Sequence, residues 1–296
     1  MSSPEPELRI ATRPSPLAVA QARQITAALG VPDESLVEVE NQSGPADKER
    51  FIHGVEQAVL TGRAELGVHS AKDLPGKMTS GLVIAATPAR ADARDCWIGP
   101  GDSLEAIPEG ARVGTSSLRR RSQLLALRPD LVMVDMAGNV DTRLAKLSRG
   151  EVDGLVLAVA GLERLGRESE IAFPFDPEAM VPAAGQGTLV IQGRANGPGL
   201  DEVADHGDQD TLTALLAERA AVVGIGADCD SPVGFHATVS EGSISIEGFA
   251  GAADGSVWLR DRLEGERSQP EELGRNLARR MISAGAAGIL EGTVGE

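Results

Sequence analysis

The stretch ARVGTSSLRRRSQLLALRP, residues 111–129, decides how the chain is organised. A short apolar run, ARVG, enters the hydroxyl-rich turn TSS. A helical pattern over 118–129 follows, stopped by Pro129. Strand, polar turn and helix in that order form the building unit of an α/β fold. The start of the chain repeats the unit. LRIAT (8–12) reads as a strand, and SPLAVAQARQITAALG (15–30) reads as a helix. Ser15 caps that helix, Pro16 takes its first position and Gly30 ends it.

Reading outward from each opening gives the same alternation. In the first half, LVEVE (36–40) is a strand, a helix runs over about 50–62, and AELGVHS (64–70) and GLVIAATP (81–88) are strands. In the second, LVMVDM (131–136) is a strand, and NVDTRLAKLSRG (139–150) is a helix capped by Asn139 or Asp141. DGLVLAVAG (153–161) is a further strand. MVPAAGQGTLVIQGR (180–194) reads as a strand crossing back to the first domain. The last third is different: FHATV, SISIEGFAG and SVWLRDRLEG are strand-like, joined by EG and ADGS turns, and a helix covers 270–285.

The expected fold class is therefore α/β. Residues 1–90 with 186–206 form one α/β domain, 91–185 a second, and 207–296 a small C-terminal α+β domain. Ligand is expected between the two α/β domains, at the C-terminal ends of their strands.

Composition narrows the function. The formal charge of −16, from 28 basic and 44 acidic residues, argues against nucleic acid or an anionic membrane as partner. Five Phe, two Trp and no Tyr leave little with which to stack bases. Two distant cysteines, Cys96 and Cys229, and four scattered histidines suggest neither a disulfide framework nor a metal site. No apolar run reaches membrane-spanning length, and the N-terminal stretch lacks the features of a secretion signal. A cytoplasmic monomer is the expectation.

Against that acidic background, three arginines open the helix at 118. A helix N-terminus already carries partial positive charge, so cations there need an offset, either the protein's own carboxylates or a bound anion. Thr115, Ser116 and Ser117 present hydroxyls and backbone N–H groups at the same end, which favours an anion beside Arg119 and Arg120. Arg121 reads as a solvated, ion-paired position. Arg143 in the next helix, Arg164 beyond the 153–161 strand, and Arg13 with Ser15 in the first domain lie at equivalent edges. Arginine suits carboxylates, because its planar fork donates two parallel hydrogen bonds.

HSAKDLPGK (69–77) follows a strand and brings Lys72 beside Asp73. A carboxylate among cations makes sense if a substrate develops positive charge; the alternative is a surface ion pair in a turn. Cys229, on the loop ADCDSPVG, is either a covalent attachment point or a small structural residue. With Asp228 and Asp230 discouraging a thiolate, its surroundings favour the structural role. Cys96 reads as structural.

Taken together, RIATRPSPLA, HSAKDLP, VGTSSLRRRSQL, GNVDTRLAKL, LAVAGLERLG, VPAAGQG and ADCDSPVG resemble, in content and order, the porphobilinogen deaminase (hydroxymethylbilane synthase) family. The resemblance implies two periplasmic-binding-protein-like (type II) α/β domains plus a small C-terminal α+β domain. It implies a dipyrromethane cofactor attached covalently through Cys229. It also implies the head-to-tail condensation of four porphobilinogen molecules, with loss of ammonia, to hydroxymethylbilane for tetrapyrrole synthesis. By resemblance, Asp73 is catalytic. Ser70, Lys72, Thr115, Ser117, Arg119, Arg120 and Arg143 bind cofactor, and Arg13, Ser15 and Arg164 bind substrate. Three features depart from the family pattern: a short 41–54 segment replaces the Gly- and Lys-rich lid, Ala137 stands where Arg usually precedes GNV, and Ala227 and Asp228 replace two glycines before the cysteine. A paralogue or dicarboxylate-binding protein without polymerising activity is the alternative.

Overall fold

The computed structural model describes residues 8–40, 48–228 and 230–292, with backbone alone at 48–51. The chain forms two compact units, 1–90 with 188–212 and 91–187 with 213–296.

The first unit opens with β1 (Ile10–Thr12) and α1 (Pro16–Leu29). Ser15 Oγ accepts from Ala18 N, and Gly30, at φ 67°, closes the helix in the left-handed conformation that glycine adopts without strain. Next come β2 (Leu36–Glu38), α2 (Lys48–Leu60), β3 (Leu66–Ser70) and β4 (Leu82–Ala86).

The second unit carries β5 (Asp95–Ile98), β6 (Arg112–Gly114), α3 (Leu118–Leu127), β7 (Val132–Val134), α4 (Val140–Ser148), β8 (Gly154–Ala158), α5 (Val159–Arg164) and β9 (Phe173–Pro174). Asn139, not Asp141, caps α4, its side chain accepting from Thr142 N. The expected strand over 153–161 stops at Ala158, where VAGLER turns helical and places Arg164 in a last helical turn. The chain then supplies β10 (Leu189–Arg194) and α6 (Leu200–Ala204) to the first unit.

Two five-stranded sheets result, with orders β2-β1-β3-β10-β4 and β7-β6-β8-β5-β9. The plan is the same in both. Parallel strands form one side, and a single strand inserted from elsewhere in the chain runs antiparallel to its neighbours: β10 against β3 and β4, β5 against β8 and β9. The apolar runs alone suggested parallel strands throughout. The inserted strands are buried on both faces, so they carry the continuous apolar pattern of parallel strands.

The C-terminal part follows: α7 (Gln209–Ile225), an antiparallel sheet of β11 (Val233–Ser240), β12 (Ser243–Gly251) and β13 (Trp258–Glu266), then α8 (Pro270–Ser283) and α9 (Ala286–Glu291). Alternate residues Val233, Phe235 and Ala237 of β11 pack with Ala217 and Ala221 of α7 and Leu277 and Met281 of α8. Each large buried side chain there contributes about 2 kcal/mol.

Candidate functional site

In the first unit, the turn after β3 carries HSAKDLP. Residues Ala71–Asp73 form one 3-10 turn, closed by Leu74 N donating to Ala71 O. Ala71 N also donates to Thr188 O, which fixes the turn to the start of β10. Asp73 Oδ2 receives Arg13 Nη2 at 3.4 Å, and both side chains are partly exposed. Ser15 spends its hydroxyl on capping α1. Ser70 Oγ accepts from Gln21 Nε2 at 2.8 Å. Lys72 lies half-buried in the same 3-10 turn. The structure thus brings Arg13 and Asp73 together, with Ser70 in the residue before the turn.

In the second unit, the arginines fall into two groups. Arg119 and Arg120 are 4% and 6% exposed, and both turn inward onto Asp95, the fully buried first residue of β5. Arg119 Nη1 donates to Asp95 Oδ2 at 2.6 Å and to Val181 O at 2.7 Å. Arg120 Nε reaches Asp95 Oδ1 at 2.9 Å, and its Nη1 reaches Val156 O at 3.0 Å. Gln186 of the VPAAGQG segment adds a third donor to Asp95, at 3.0 Å. The protein's own carboxylate therefore supplies an offset for these two cations. Burial pulls Arg119 below its ordinary pKa, and Arg120 adds to that while Asp95 opposes it.

Arg143 and Arg164 behave differently. Arg143 donates to Gly138 O at 2.8 Å and to Ser116 Oγ at 3.2 Å, both neutral acceptors. Arg164 Nη2 donates to Gly187 O at 2.7 Å, while its Nε is buried with no hydrogen-bond partner among the described residues. Burial lowers the pKa of both, but a guanidinium keeps its charge. Thr115 Oγ1 accepts from Ser117 N, and Ser117 Oγ caps α3 by accepting from Arg120 N. The hydroxyl-rich turn is thus self-bonded through Thr115 and Ser117, whereas exposed Ser116 reaches Arg143.

Cys229 lies outside the described residues. Its neighbours close a tight loop: Asp228 Oδ1 accepts from Asp230 N at 3.0 Å and from the Ser231 hydroxyl at 2.8 Å, which lowers the Asp228 pKa. Of the short 41–54 segment, residues 41–47 are likewise outside the description. Ala137 is exposed, and its carbonyl accepts from Lys146 Nζ at 3.3 Å. Cys96 is fully buried, its thiol pushed up to about 12 chiefly by desolvation, as suits an inert core residue. Among the described residues no three His, Cys, Asp or Glu gather as a metal site, and no helix is long and apolar enough to cross a membrane.

Sequence reasoning missed Gln21, Asp95 and Gln186. Asp95 had left a signal: a charged residue opening the apolar strand DCWI must find a partner in the core.

Two family models match the chain: "Porphobilinogen deaminase, dipyromethane cofactor binding domain" over residues 8–202, and "Porphobilinogen deaminase, C-terminal domain" over 212–283. A porphobilinogen deaminase of Roseiflexus castenholzii is 42% identical over 303 residues, covering 96% of this chain and 99% of its own. One from Thermus thermophilus is 41% identical over 296 residues, covering 95% and 97%. A solved TRAP periplasmic solute binding protein of Desulfovibrio salexigens is similar at a TM-score of 0.40 and 15% identity, over 68% of this chain and 72% of that one. With models of both parts and relatives along nearly the full length, the chain belongs to the porphobilinogen deaminase family.

Proposed function

We propose a division of labour among this chain's residues for the family's reaction, the condensation of four porphobilinogen molecules into hydroxymethylbilane with loss of ammonia. Asp73 is the catalytic carboxylate. Loss of ammonia leaves positive charge on the substrate, and a fixed carboxylate stabilises that charge as it forms. Arg13, at 3.4 Å, orients Asp73 and, with Ser15, receives a substrate carboxylate. Ser70 at the end of β3 and Lys72 in the turn precede Asp73 and hold cofactor carboxylates.

The observation that carries this reading is the split among the second-unit arginines. Arg143 and Arg164 are bonded to neutral oxygens among the described residues, and Arg164 Nε is a buried donor without an acceptor. A group bearing acetate and propionate arms would satisfy both. Arg119 and Arg120, two cations on one carboxylate, add net positive charge behind Thr115 and Ser117. Arg143, Arg119 and Arg120 with Thr115 and Ser117 fit a dipyrromethane cofactor, whose attachment point in this reading is Cys229, and Arg164 fits a substrate carboxylate. When bound, dipyrromethane supplies the nucleophilic pyrrole carbon and the tether that keeps the growing chain in place. In this reading the chain acts as a cytoplasmic monomer.

Intact mass of the purified protein beside a Cys229→Ser variant tests the reading. The expected result is an adduct of two linked pyrrole units, absent from the variant. An unmodified mass that persists after incubation with porphobilinogen would contradict it.

A further inference from the structure

His69 stands immediately before the Ser70–Asp73 turn, and nothing in the reaction assigned above uses it. β3 and β10 pair so that Gly67 lies opposite Gln192 and His69 opposite Val190. Residues two apart on a strand share a face, so Gly67, His69 and Gln192 point the same way. Helix α2 lies close on that face. A Cβ at Gly67 would sit 2.7 Å from Val55 Cγ1 and 3.3 Å from both Val59 Cγ2 and His69 Nε2. Only glycine permits this approach, and it brings Glu56 of α2, 4% exposed, over the strand pair.

A chain of hydrogen bonds follows, buried where Gln192 takes part. The Thr79 hydroxyl donates to Glu56 Oε2 at 2.7 Å. Gln192 Nε2 donates to Glu56 Oε1 at 3.0 Å, and Gln192 Oε1 lies 3.0 Å from His69 Nε2. Gln192 is fully buried and His69 is 6% exposed, so water cannot substitute cheaply for either link made by Gln192. The polarity of the chain is dictated from one end. A carboxylate only accepts, so Gln192 must turn its N–H toward Glu56 and its carbonyl toward His69. A carbonyl also only accepts, so the imidazole proton must sit on Nε2.

We propose that Glu56 is a positioning residue for the Ser70–Asp73 turn: acting through Gln192, it fixes the tautomer and ring orientation of His69, and so the end of β3 from which Asp73 is presented. The proposal rests on Asp73 as the catalytic carboxylate. A neutral, immobile imidazole also keeps a competing cation away from the region where substrate charge develops. Arg13 and Asp73 are both near enough to bear on the protonation of His69, so a mobile or charged ring would disturb that pair.

The test uses the cofactor-loaded protein and three variants. Glu56→Leu removes the acceptor that sets the polarity, and Gln192→Met removes the link at similar volume. Glu56→Gln is the conservative rescue, because its amide oxygen can still accept from Gln192 while its N–H donates to Thr79. Nitrogen-15 NMR of the imidazole, assigned with a His69→Asn control, reads the tautomer without turnover. In Glu56→Leu and Gln192→Met the fixed Nε2–H signature is expected to be lost. In both, kcat is expected to fall about tenfold or more, with KM changed by less than about threefold. Glu56→Gln is expected to retain the tautomer and most of the kcat. If Glu56→Leu does not fold, Gln192→Met carries the same reading. An unmoved tautomer in a folded variant overturns the proposal. So does a lost tautomer with kcat within about twofold of wild type, or a fall in melting temperature alone. Failure of the catalytic reading of Asp73 would look different: Asp73→Asn would keep its turnover, whatever the tautomer of His69.

Discussion

Asp73 and Asp95 are both aspartates held by arginine, and their surroundings differ in every respect that matters. Asp73 has a third of its side chain exposed and meets Arg13 at 3.4 Å. Asp95 is fully buried, takes two guanidiniums at 2.6 and 2.7 Å, and accepts from Gln186 as well. A loosely paired, solvent-reachable carboxylate is free to stabilise charge that arises on a substrate. A carboxylate enclosed by donors from Arg119, Arg120 and Gln186 is committed to holding them in place. Proximity of Asp to Arg in space therefore does not identify a catalytic group; depth and the number of donors do.

Substitutions at the two aspartates should separate these roles. Asp73→Asn should reduce turnover by about a hundredfold or more, the scale seen when a charge-stabilising group is removed. Its melting temperature should barely move, because a partly exposed ion pair contributes about 1 kcal/mol or less. Asp95→Asn should do the reverse in kind. Two buried arginines would lose their counter-charge, at a cost of about 3–5 kcal/mol, visible as a large loss in denaturant midpoint. Equal stability losses in the two variants would erase the distinction.

Arg143 sharpens the comparison on the cationic side. Its hydrogen bonds go to neutral oxygens, so Arg143→Met should cost little stability. Loss of one charged hydrogen bond to a carboxylate of the tethered cofactor, about 1.5–3 kcal/mol, should lower turnover by roughly 10- to 100-fold. Steady-state kinetics beside thermal melting checks both.

His69 gives a pH signature that belongs to the first unit alone. Burial pushes its pKa from 6.5 down to about 4, with Glu56 partly opposing. Between those values the unfolded chain takes up a proton that the folded chain does not, so stability falls as pH drops from 6.5 toward 4. The loss through this group is at most about 3 kcal/mol. Urea titrations across that range should show the slope, and His69→Asn should flatten it.

Much of this is legible in the sequence. Ser15, Pro16 and Gly30 mark α1 to the residue, because caps act through neighbours in the chain. For α4 the sequence offers Asn139 or Asp141 and the structure chooses Asn139, whereas Ser117 caps α3 without having been singled out as its cap. The partner of Arg119 and Arg120 was not legible. Asp95 lies 24 and 25 residues upstream, and only the insertion of β5 beside β8 brings it to them. Helix α7 escaped notice for another reason. QDTLTALLAERAAVVGI spreads alanines around the helix, so no single apolar stripe announces it. The chain Glu56–Gln192–His69 was hidden by distance too, since Gln192 is 123 residues from His69.

The central claim is that Asp73, not Asp95, carries the chemistry. Porphobilinogen consumption by Asp73→Asn, with folding checked by melting and cofactor loading by intact mass, tests it most directly. The account predicts a folded protein whose turnover is down by about a hundredfold or more. Turnover near that of wild type would contradict it.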